Sequence, residues 1–415
     1  MYFLVVFSIN IDFYFHRGKI FMKRTIKYLL IFVMTLTYFL LPNINNKVEA
    51  YTKKPSVSAH AYVIMDSKTG QILDSQDQYK KIYPASTTKL MTALVAIENG
   101  NLSQKIEVKQ SVLNTVPSDA SQINLKVGHS YTLNELLNML LIYSDANSAN
   151  VIGHEIGGSI ENFANMMNEK AKSLGLDSTN FDNPIGMDGY RFPNTYSTAN
   201  DIAKLTQHAM KNQIIRDIVK KSTYTVSITS NNESKTIYNT NRFLRGEYYP
   251  RNLYTIIGTK TGTTDLAGYA LSTTAIDKNG REIICAFFGN HSTLKRYNDT
   301  EALLTYTYKN LKDGWVNTNN TWYYYNNGQM ITGWFKLSDN WYYFNNDGSM
   351  KTGWLKLEDK WYYLNNDGSM RTGWLKLEDN WYYLNNDGIM MTNTTIDGWY
   401  IDNNGIASPI NTNIS

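Results

Sequence analysis

Ser86 and Lys89 are three positions apart in the stretch YPASTTKLMTALVA, where a helix-forming sequence begins. On a helix, these two side chains share one face about one turn apart. A lysine whose pKa is lowered by burial can take the proton of a serine hydroxyl and make it a nucleophile. The backbone amides at a helix start can stabilise an oxyanion. The alternative interpretation is that Ser86 caps the helix and Lys89 is solvated.

Two further groups follow along the chain. Ser144 comes after an apolar helical sequence, and Lys260-Thr261-Gly262 lies in TIIGTKTGTT, just before a predicted strand. A plain turn is the alternative for the second group. Another Ser-x-x-Lys, which begins at Ser292, precedes a more polar helical sequence, and we interpret it as a chance match.

The order Ser-x-x-Lys, loop serine, Lys-Thr-Gly resembles the three active-site motifs of penicillin-binding proteins and serine β-lactamases. Residues 51–311 are similar to the low-molecular-mass D-alanyl-D-alanine carboxypeptidases, also through GGS at 157–159, NPIGM at 183–187 and STANDIA at 197–203. The resemblance implies an α+β domain of the β-lactamase/transpeptidase type, in which helices flank an antiparallel sheet.

The resemblance also implies roles for individual residues. Lys89 would take the proton of Ser86, Ser86 would attack the peptide carbonyl, and Ser144 would relay a proton to the departing D-alanine. The backbone amides of Ser86 and Thr263 would form the oxyanion hole. Peptidoglycan stem peptides would be the substrates, β-lactam antibiotics would be covalent inhibitors, and no cofactor is implied. The substrate-binding residues would be Lys260 and Thr261 for the carboxylate, Gly262 for close approach of the peptide, Thr263, and Asn147.

The middle motif departs from the family pattern. The family has Ser-x-Asn, whereas this chain has SDAN, with Ala146 third and Asn147 fourth. Whether Asn147 replaces the missing amide is left open. One alternative is therefore a wall-binding protein with a weakened or inactive penicillin-binding domain. A β-lactamase is another, but it would need a glutamate for deacylation, and 180–187 offers only Asp182.

The C-terminal part of the chain, 312–415, repeats itself. Units of 20 residues begin at Gly333, Gly353 and Gly373, and partial copies occupy 315–328 and 399–405. Each unit alternates like a strand and contains Asn346-Asp347-Gly348 or its equivalent, which predicts a hairpin turn there. Because one hairpin cannot bury its aromatic face, we expect an all-β solenoid of about five stacked hairpins.

The repeats resemble the choline-binding modules of Gram-positive surface proteins through GW, WYY and NDGxM. In that family, aromatic rings of adjacent hairpins enclose a quaternary ammonium, which cation–π attraction favours. The ligand would be choline on teichoic acid or another wall polymer, and the alternative is that the rings only pack the stack. The candidate walls are Trp334, Trp341, Tyr343, Trp354, Trp361, Tyr363, Trp374 and Trp381.

Periodicity also predicts the elements that position the catalytic motifs. The chain has 415 residues, of which 42% are apolar, enough for a sizeable core. Cys285 has no partner and is interpreted as core. Helices are predicted at 88–98, 133–142, 160–174 and 198–210, and strands at 61–66, 71–75, 223–229, 267–275 and 282–289.

Charge and histidine content exclude several functions. The net charge is +4, and residues 1–50, with six basic and two acidic side chains, account for all of it. The remainder is balanced, which argues against a nucleic-acid partner. The six histidines show no paired spacing, so no metal site is predicted.

Residues 1–50 have the pattern of a secretory signal. A basic group is followed by a 14-residue apolar run and then by small residues at 48–50. Met22 is the better candidate for the initiator, and a retained membrane anchor is the alternative interpretation. Together with the repeats, the signal predicts a secreted protein of the Gram-positive cell wall or surface.

Overall fold

The computed structural model describes residues 53–248, 252–311, 313–318, 320–326 and 328–410, together with two short strands near the N-terminus. Those strands, β1 (Phe15–His16) and β2 (Lys19–Ile20), pair antiparallel. The rest of the predicted signal, with Met22, lies outside the described residues. In the parts of the chain that are described, no helix is both long and apolar enough to cross a bilayer.

A five-stranded antiparallel sheet forms the centre of the first domain, in the order β4-β3-β11-β10-β9. Strands from both ends of the domain meet in this sheet, as the sequence predicts. The strands of the domain are β3 (Ala61–Asp66), β4 (Ile72–Gln76), β5 (Lys105–Glu107), β6 (Ser130–Thr132), β7 (Thr223–Val226), β8 (Lys235–Tyr238), β9 (Tyr254–Thr264), β10 (Gly268–Asp277) and β11 (Glu282–Asn290).

Helices cover both faces of the sheet. They are α1 (Lys89–Asn99), α2 (Gln110–Leu113), α3 (Leu133–Asn138), α4 (Ala146–Gly157), α5 (Ile160–Ser173), α6 (Ala199–Lys211), α7 (Gln213–Val219) and α8 (Thr293–Asn310). The described residues also include two 3₁₀ turns, Ala85–Thr88 and Arg242–Arg245, and one π-helical turn, Met139–Tyr143.

The sequence of β11 explains why both faces are covered. All nine of its residues are buried. Ile284 and Phe288 belong to one apolar cluster, which includes α1 and α6, whereas Cys285 and Phe287 belong to a second cluster with α8. Successive side chains of a strand point to opposite faces, so a continuous apolar run requires a cover on each side. Cys285 is therefore core, as predicted.

Three local predictions need correction. Lys260-Thr261-Gly262 precedes the predicted strand, which is β10, but it also lies inside a strand that was not predicted, β9, because residues 254–264 pair with β10. The helix predicted at 133–142 ends at Asn138 and continues as the π-helical turn. Ser144, predicted to lie in a loop, ends the π-helical turn and is followed directly by helix α4, which Asp145 caps.

The second domain consists of successive antiparallel hairpins, as predicted. Its strands are β12 (Gly314–Thr318), β13 (Thr321–Asn326), β14 (Gln329–Met330), β15 (Gly333–Leu337), β16 (Asn340–Phe344), β17 (Gly353–Leu357), β18 (Lys360–Leu364), β19 (Gly373–Leu377), β20 (Asn380–Leu384), β21 (Thr394–Ile396), β22 (Trp399–Ile401) and β23 (Ala407–Pro409).

The position of the hairpin turn differs from the prediction. The turn between β15 and β16 is formed by Ser338 and Asp339, with Ser338 at φ +54°. Asn345 to Gly348 instead form the turn that leads to the next unit, where the Gly348 amide donates to the Asn345 carbonyl. Gly348 is at φ +83°, and a Cβ there would lie 2.3 Å from the Met330 side chain, so glycine is favoured at this position.

Backbone hydrogen bonds join each unit to its neighbours. The Met350 amide donates to the Trp322 carbonyl at 2.7 Å, and the Met370 amide donates to the Trp341 carbonyl at the same distance. The repeat of this contact every 20 residues produces a regular stack, as expected for a solenoid.

Candidate active site

Ser86 and Lys89 meet at the junction between the 3₁₀ turn and α1. The Lys89 Nζ donates to the Ser86 Oγ at 2.8 Å and to the Ile185 carbonyl at 2.9 Å. Lys89 is only 2% exposed. Burial lowers the pKa of the Lys89 amine to about 7, although the nearby Asp145 acts in the opposite direction. A substantial fraction of Lys89 is therefore neutral near pH 7 and able to accept a proton.

The second Ser-x-x-Lys of the chain has a different geometry. The Ser292 Oγ accepts a hydrogen bond from the backbone amide of Lys295 and caps helix α8. Ser86 caps neither the 3₁₀ turn nor α1 through its side chain. The capping alternative therefore describes Ser292 and not Ser86.

The segment 183–187 holds the turn that contains Ser86. The Asn183 Oδ1 accepts hydrogen bonds from three successive backbone amides, those of residues 185, 186 and 187. This arrangement positions the Ile185 carbonyl that receives Lys89. Gly186, at φ +82°, lies so close to the Ala85 carbonyl that a Cβ would be 1.9 Å from its oxygen. The glycine of NPIGM is therefore required by this close approach.

Strand β9 brings the Lys-Thr-Gly group against the same turn. A Cβ on Gly262 would lie 3.1 Å from the Ser86 backbone nitrogen. The Lys260 Nζ donates to the Thr261 carbonyl at 3.0 Å, and the Thr261 hydroxyl donates to the Thr240 hydroxyl at 2.7 Å. Burial, and next the charges of Lys89 and Arg296, hold the pKa of Lys260 well below its usual range.

A cleft of about 340 Å³ lies between these elements. The motif serines and the Thr-Gly-Thr of β9 line it, whereas Lys260 and Asn147 are not among its lining residues. Three arginines line it without a carboxylate, which suits an anionic substrate group. The lining residues are Ser86, Ser121, Ser144, Thr240, Arg242, Arg245, Thr261, Gly262, Thr263, Thr293 and Arg296.

Sequence reasoning missed these arginines. Arg296 is 6% exposed, and its Nη1 donates to the Ala270 carbonyl at 3.1 Å, while its buried Nε has no partner in the described part of the chain. Arg242 and Arg245 are both paired with Glu247. No local motif marks these residues, because α8 and the turn at 242–245 reach the cleft only through the fold.

Ser144 enters the cleft through an uncommon backbone conformation. It ends the π-helical turn at φ +71° and is 5% exposed. The next residue, Asp145, is completely buried and accepts hydrogen bonds from the Ser148 amide and hydroxyl and from the Ile123 amide. Burial raises the pKa of Asp145, and these hydrogen bonds oppose the shift. Asp145 thereby ties the backbone beside Ser144 to a neighbouring loop.

Asn147 lies in the first turn of α4. Its side chain is 2% exposed, and its Oδ1 has no hydrogen-bond partner among the described residues. Ala146, at the third position of the motif, is fully buried. A role of Asn147 in substrate binding stays a prediction.

In the repeats, aromatic rings of adjacent units meet in a recurring arrangement. The ring of Trp334 lies 6.4 Å from Trp341, 5.3 Å from Tyr343 and 5.1 Å from Tyr362, which belongs to the following unit. Trp354 has equivalent partners in Trp361, Tyr363 and Tyr382. The sequence did not identify Tyr362 and Tyr382, because the stacking of units decides which ring completes each group.

The last aromatic group differs from the others. Trp374 lies near Trp381 and Tyr383, as the repeat predicts, but its partner from the following unit is Trp399, at 5.8 Å. The Trp374 Nε1 also donates to the Asp397 carboxylate at 3.3 Å. Tyr400, at the sequence position equivalent to Tyr382, is 49% exposed and makes no such ring contact within the described residues.

Residues 48–292 match the model of the D-alanyl-D-alanine carboxypeptidase family, which is more than half of the chain. The chain belongs to this family. Residues 312–352 and 351–394 match the choline-binding repeat.

Individual members of the carboxypeptidase family show the extent of the similarity. DacF of Bacillus subtilis is 33% identical over 275 residues, a match that covers 64% of this chain and 66% of DacF. DacA of Haemophilus influenzae is 28% identical, with 62% and 64% covered. The chain thus spans less than two thirds of the length of these two relatives.

Solved structures support the same fold. The crystal structure of a D-alanyl-D-alanine carboxypeptidase from Mycobacterium tuberculosis has a TM-score of 0.56 at 26% identity and covers 62% of this chain and 94% of its own. A variant of a Streptomyces DD-transpeptidase gives 0.56 at 30% identity, with 61% and 98% covered. These neighbours confirm the predicted transpeptidase-like fold.

Proposed function

We propose that this protein is a serine D-alanyl-D-alanine carboxypeptidase that removes the terminal D-alanine from peptidoglycan stem peptides. The observation that carries the proposal is the 2.8 Å contact between the Ser86 Oγ and the buried Lys89 Nζ. With a pKa of about 7, this amine is matched to its role as a base near neutral pH. Family membership supplies the substrate class.

The proposed first step is acylation. Lys89 takes the Ser86 proton while the Ser86 Oγ attacks the carbonyl between the two D-alanines, and an ester forms as the C–N bond breaks. The backbone amides of Ser86 and Thr263 stabilise the oxyanion. Ser144, which lines the cleft beside Ser86, passes the proton to the departing amine. Water then hydrolyses the ester and frees Ser86.

The cleft supports a binding mode for the terminal carboxylate. Thr261 offers a hydroxyl there, and Arg242 and Arg296 offer guanidinium groups, which bind carboxylates strongly. Lys260 is buried with a lowered pKa, so in this proposal it supports β9 through its hydrogen bond to the Thr261 carbonyl. Its predicted direct contact with substrate stays a prediction.

We also propose that the repeats hold the exported enzyme at the Gram-positive cell wall. The ring groups of Trp334, Trp354 and Trp374 would enclose a quaternary ammonium such as choline. Trp341 and Trp361 are 41% and 39% exposed, so these rings present open surface and do not only pack the stack. Attachment to the wall raises the local concentration of enzyme at its substrate.

A penicillin-labelling experiment tests the nucleophile. The wild-type protein should bind a fluorescent penicillin covalently, and Ser86→Ala should abolish labelling. Ser292→Ala is the matched control, because it removes the serine of the other Ser-x-x-Lys, which only caps α8. Equal labelling of wild type and Ser86→Ala would refute the assignment of Ser86.

Release of D-alanine from a soluble stem pentapeptide separates the candidate functions. A carboxypeptidase releases it, whereas a wall-binding protein with an inactive catalytic domain does not. A β-lactamase would instead hydrolyse penicillin rapidly. Among the described residues that line the cleft there is no carboxylate to drive that hydrolysis, which favours a long-lived penicillin adduct.

A further inference from the structure

The first repeat contains a residue that the later repeats lack. Tyr325 pairs with Gly314 across the first hairpin, as Phe344 pairs with Gly333 and Leu364 with Gly353 in the following units. The side chains of Tyr325, Phe344 and Leu364 are all buried. Only the first unit therefore places a hydroxyl at this position, where packing within the stack requires only an apolar group.

The hydroxyl of Tyr325 contacts the catalytic domain. It donates to the Asp66 Oδ2 at 2.8 Å, and Asp66 lies at the end of β3. The same oxygen accepts a hydrogen bond from the Arg281 Nε at 3.1 Å. The Asp66 side chain is only 1% exposed and the Arg281 side chain only 3% exposed. The Arg281 guanidinium also stacks 3.8 Å from the centre of the Tyr325 ring. Asp66, Arg281 and Tyr325 form a buried contact, which we call the docking triad.

Tyr325 supplies interaction partners to two buried charged side chains, Asp66 and Arg281, that the catalytic domain alone would leave without a full set. The Arg281 Nη1 has no hydrogen-bond partner in the described residues, so the face of the Tyr325 ring stabilises part of its charge. A buried charge with incomplete partners is costly. The Asp66 Oδ1 accepts hydrogen bonds from the backbone amides of Lys68 and Thr69. The Tyr325 hydroxyl donates a hydrogen bond to the other oxygen, Oδ2.

A second contact lies beside the triad. Gly328, in the turn after β13, is packed so closely on Asn279 that a Cβ would lie 2.7 Å from the Asn279 Nδ2. A small crevice of about 210 Å³ between the domains is lined by residues from both, including Lys68, Arg281, Tyr325 and Met330. The first repeat thus meets two turns of the catalytic domain, at 66–70 and at 277–281.

We propose that the first repeat is a docking unit for the catalytic domain, with Asp66 and Arg281 as its receptor, and that the triad fixes the cleft at a set distance and orientation from the aromatic groups. Ser86 then reaches only those stem peptides that lie at that distance from a bound wall ligand. This consequence, but not the docking itself, rests on the proposed function.

Hydrogen exchange tests the docking directly in the full-length protein. In Tyr325→Leu, which restores the residue of later units, β12 and β13 should exchange roughly tenfold to a hundredfold faster, because a hydrogen bond to a charged group is lost. The matched control is Leu384→Ala, at the equivalent buried position opposite Gly373 in a later unit, which should leave β12, β3 and β11 unchanged. Equal effects of the two variants on β12 would overturn the proposal.

A second measurement tests the consequence for substrate choice. Tyr325→Leu should release D-alanine from a soluble pentapeptide at the wild-type rate but from intact cell walls several-fold more slowly. Equal rates on walls would refute the fixed-distance consequence. If the wild type acts on neither substrate, the proposed function fails, while the exchange data still decide the docking proposal.

Discussion

The two domains assemble their sites in opposite ways. The cleft joins residues from distant parts of the chain, such as Ser86, Ser144, Thr261 and Arg296, and each of them occurs once. The aromatic groups join residues from one unit and the next, and the arrangement recurs along the stack. A single substitution in the cleft should therefore abolish catalysis by the first domain. A single substitution in the repeats should weaken ligand binding by the second domain only in part.

The largest expected effect concerns Lys89. Lys89→Met should reduce kcat/KM for pentapeptide by about 10³-fold or more, because it removes the general base. It should also stabilise the fold, since it removes a buried amine whose pKa falls from 10.5 to about 7. The unfolded chain binds the extra proton between these values, so native stability rises with pH there. Thermal unfolding should accordingly show a larger gain at pH 6 than at pH 10, and no gain at either pH would contradict this account of the site.

The middle motif provides the next comparison. Ser144→Ala should lower kcat for pentapeptide about 10²-fold, because it removes the proton relay. Asn147→Ala, three positions further along, should change kcat little, since Asn147 is not among the residues that line the cleft. A comparable loss in both variants would show that Asn147 replaces the missing amide of the motif.

The pH profile should report the base itself. Since Lys89 must be neutral to accept a proton, kcat/KM should rise with pH up to about 7 and then level off. The Asp145 carboxylate raises the pKa of Lys89 and so opposes the effect of burial. Asp145→Asn should therefore move the acidic limb to lower pH. In the control, Ser148→Ala, which removes a capping hydrogen bond but keeps the charge, the limb should stay in place.

The smallest effect is expected in the repeats. Tyr382→Leu should weaken choline binding at the Trp354 group by about tenfold and leave the other groups intact. Tyr400→Leu is the control, because Tyr400 has the equivalent sequence position but stands outside the last ring group. Titration of the full-length protein with choline measures both, and a loss at every group would refute the independence of the sites.

Motifs predicted the parts of the structure that depend on local sequence. Strand Ala61–Asp66 was predicted with its observed bounds, and the antiparallel sheet with flanking helices was confirmed. Strand β9, which contains Lys-Thr-Gly, was not predicted, because its threonines and glycines do not produce the alternation of apolar and polar residues that indicates a strand. Its strand character comes from pairing with β10, which is a tertiary effect.

The rest of the site depends on contacts that no local pattern encodes. Arg296 reaches the cleft because α8 packs on β10 and β9. The sequence indicates no structural role for Asp145, which is simply the second residue of SDAN. In the structure, its three hydrogen bonds hold the loop beside Ser144. In the repeats, the turn residues Asn346-Asp347-Gly348 were recognised, but their position between units was not.

The hydrogen bond from Met350 to the Trp322 carbonyl recurs with the same period as the sequence. A whole unit could thus be gained or lost by unequal recombination within the gene, and the new neighbours would meet through the same bond. Such events would lengthen or shorten the array of aromatic groups. They would leave Ser86 and its surroundings untouched, so evolution can tune attachment and chemistry separately.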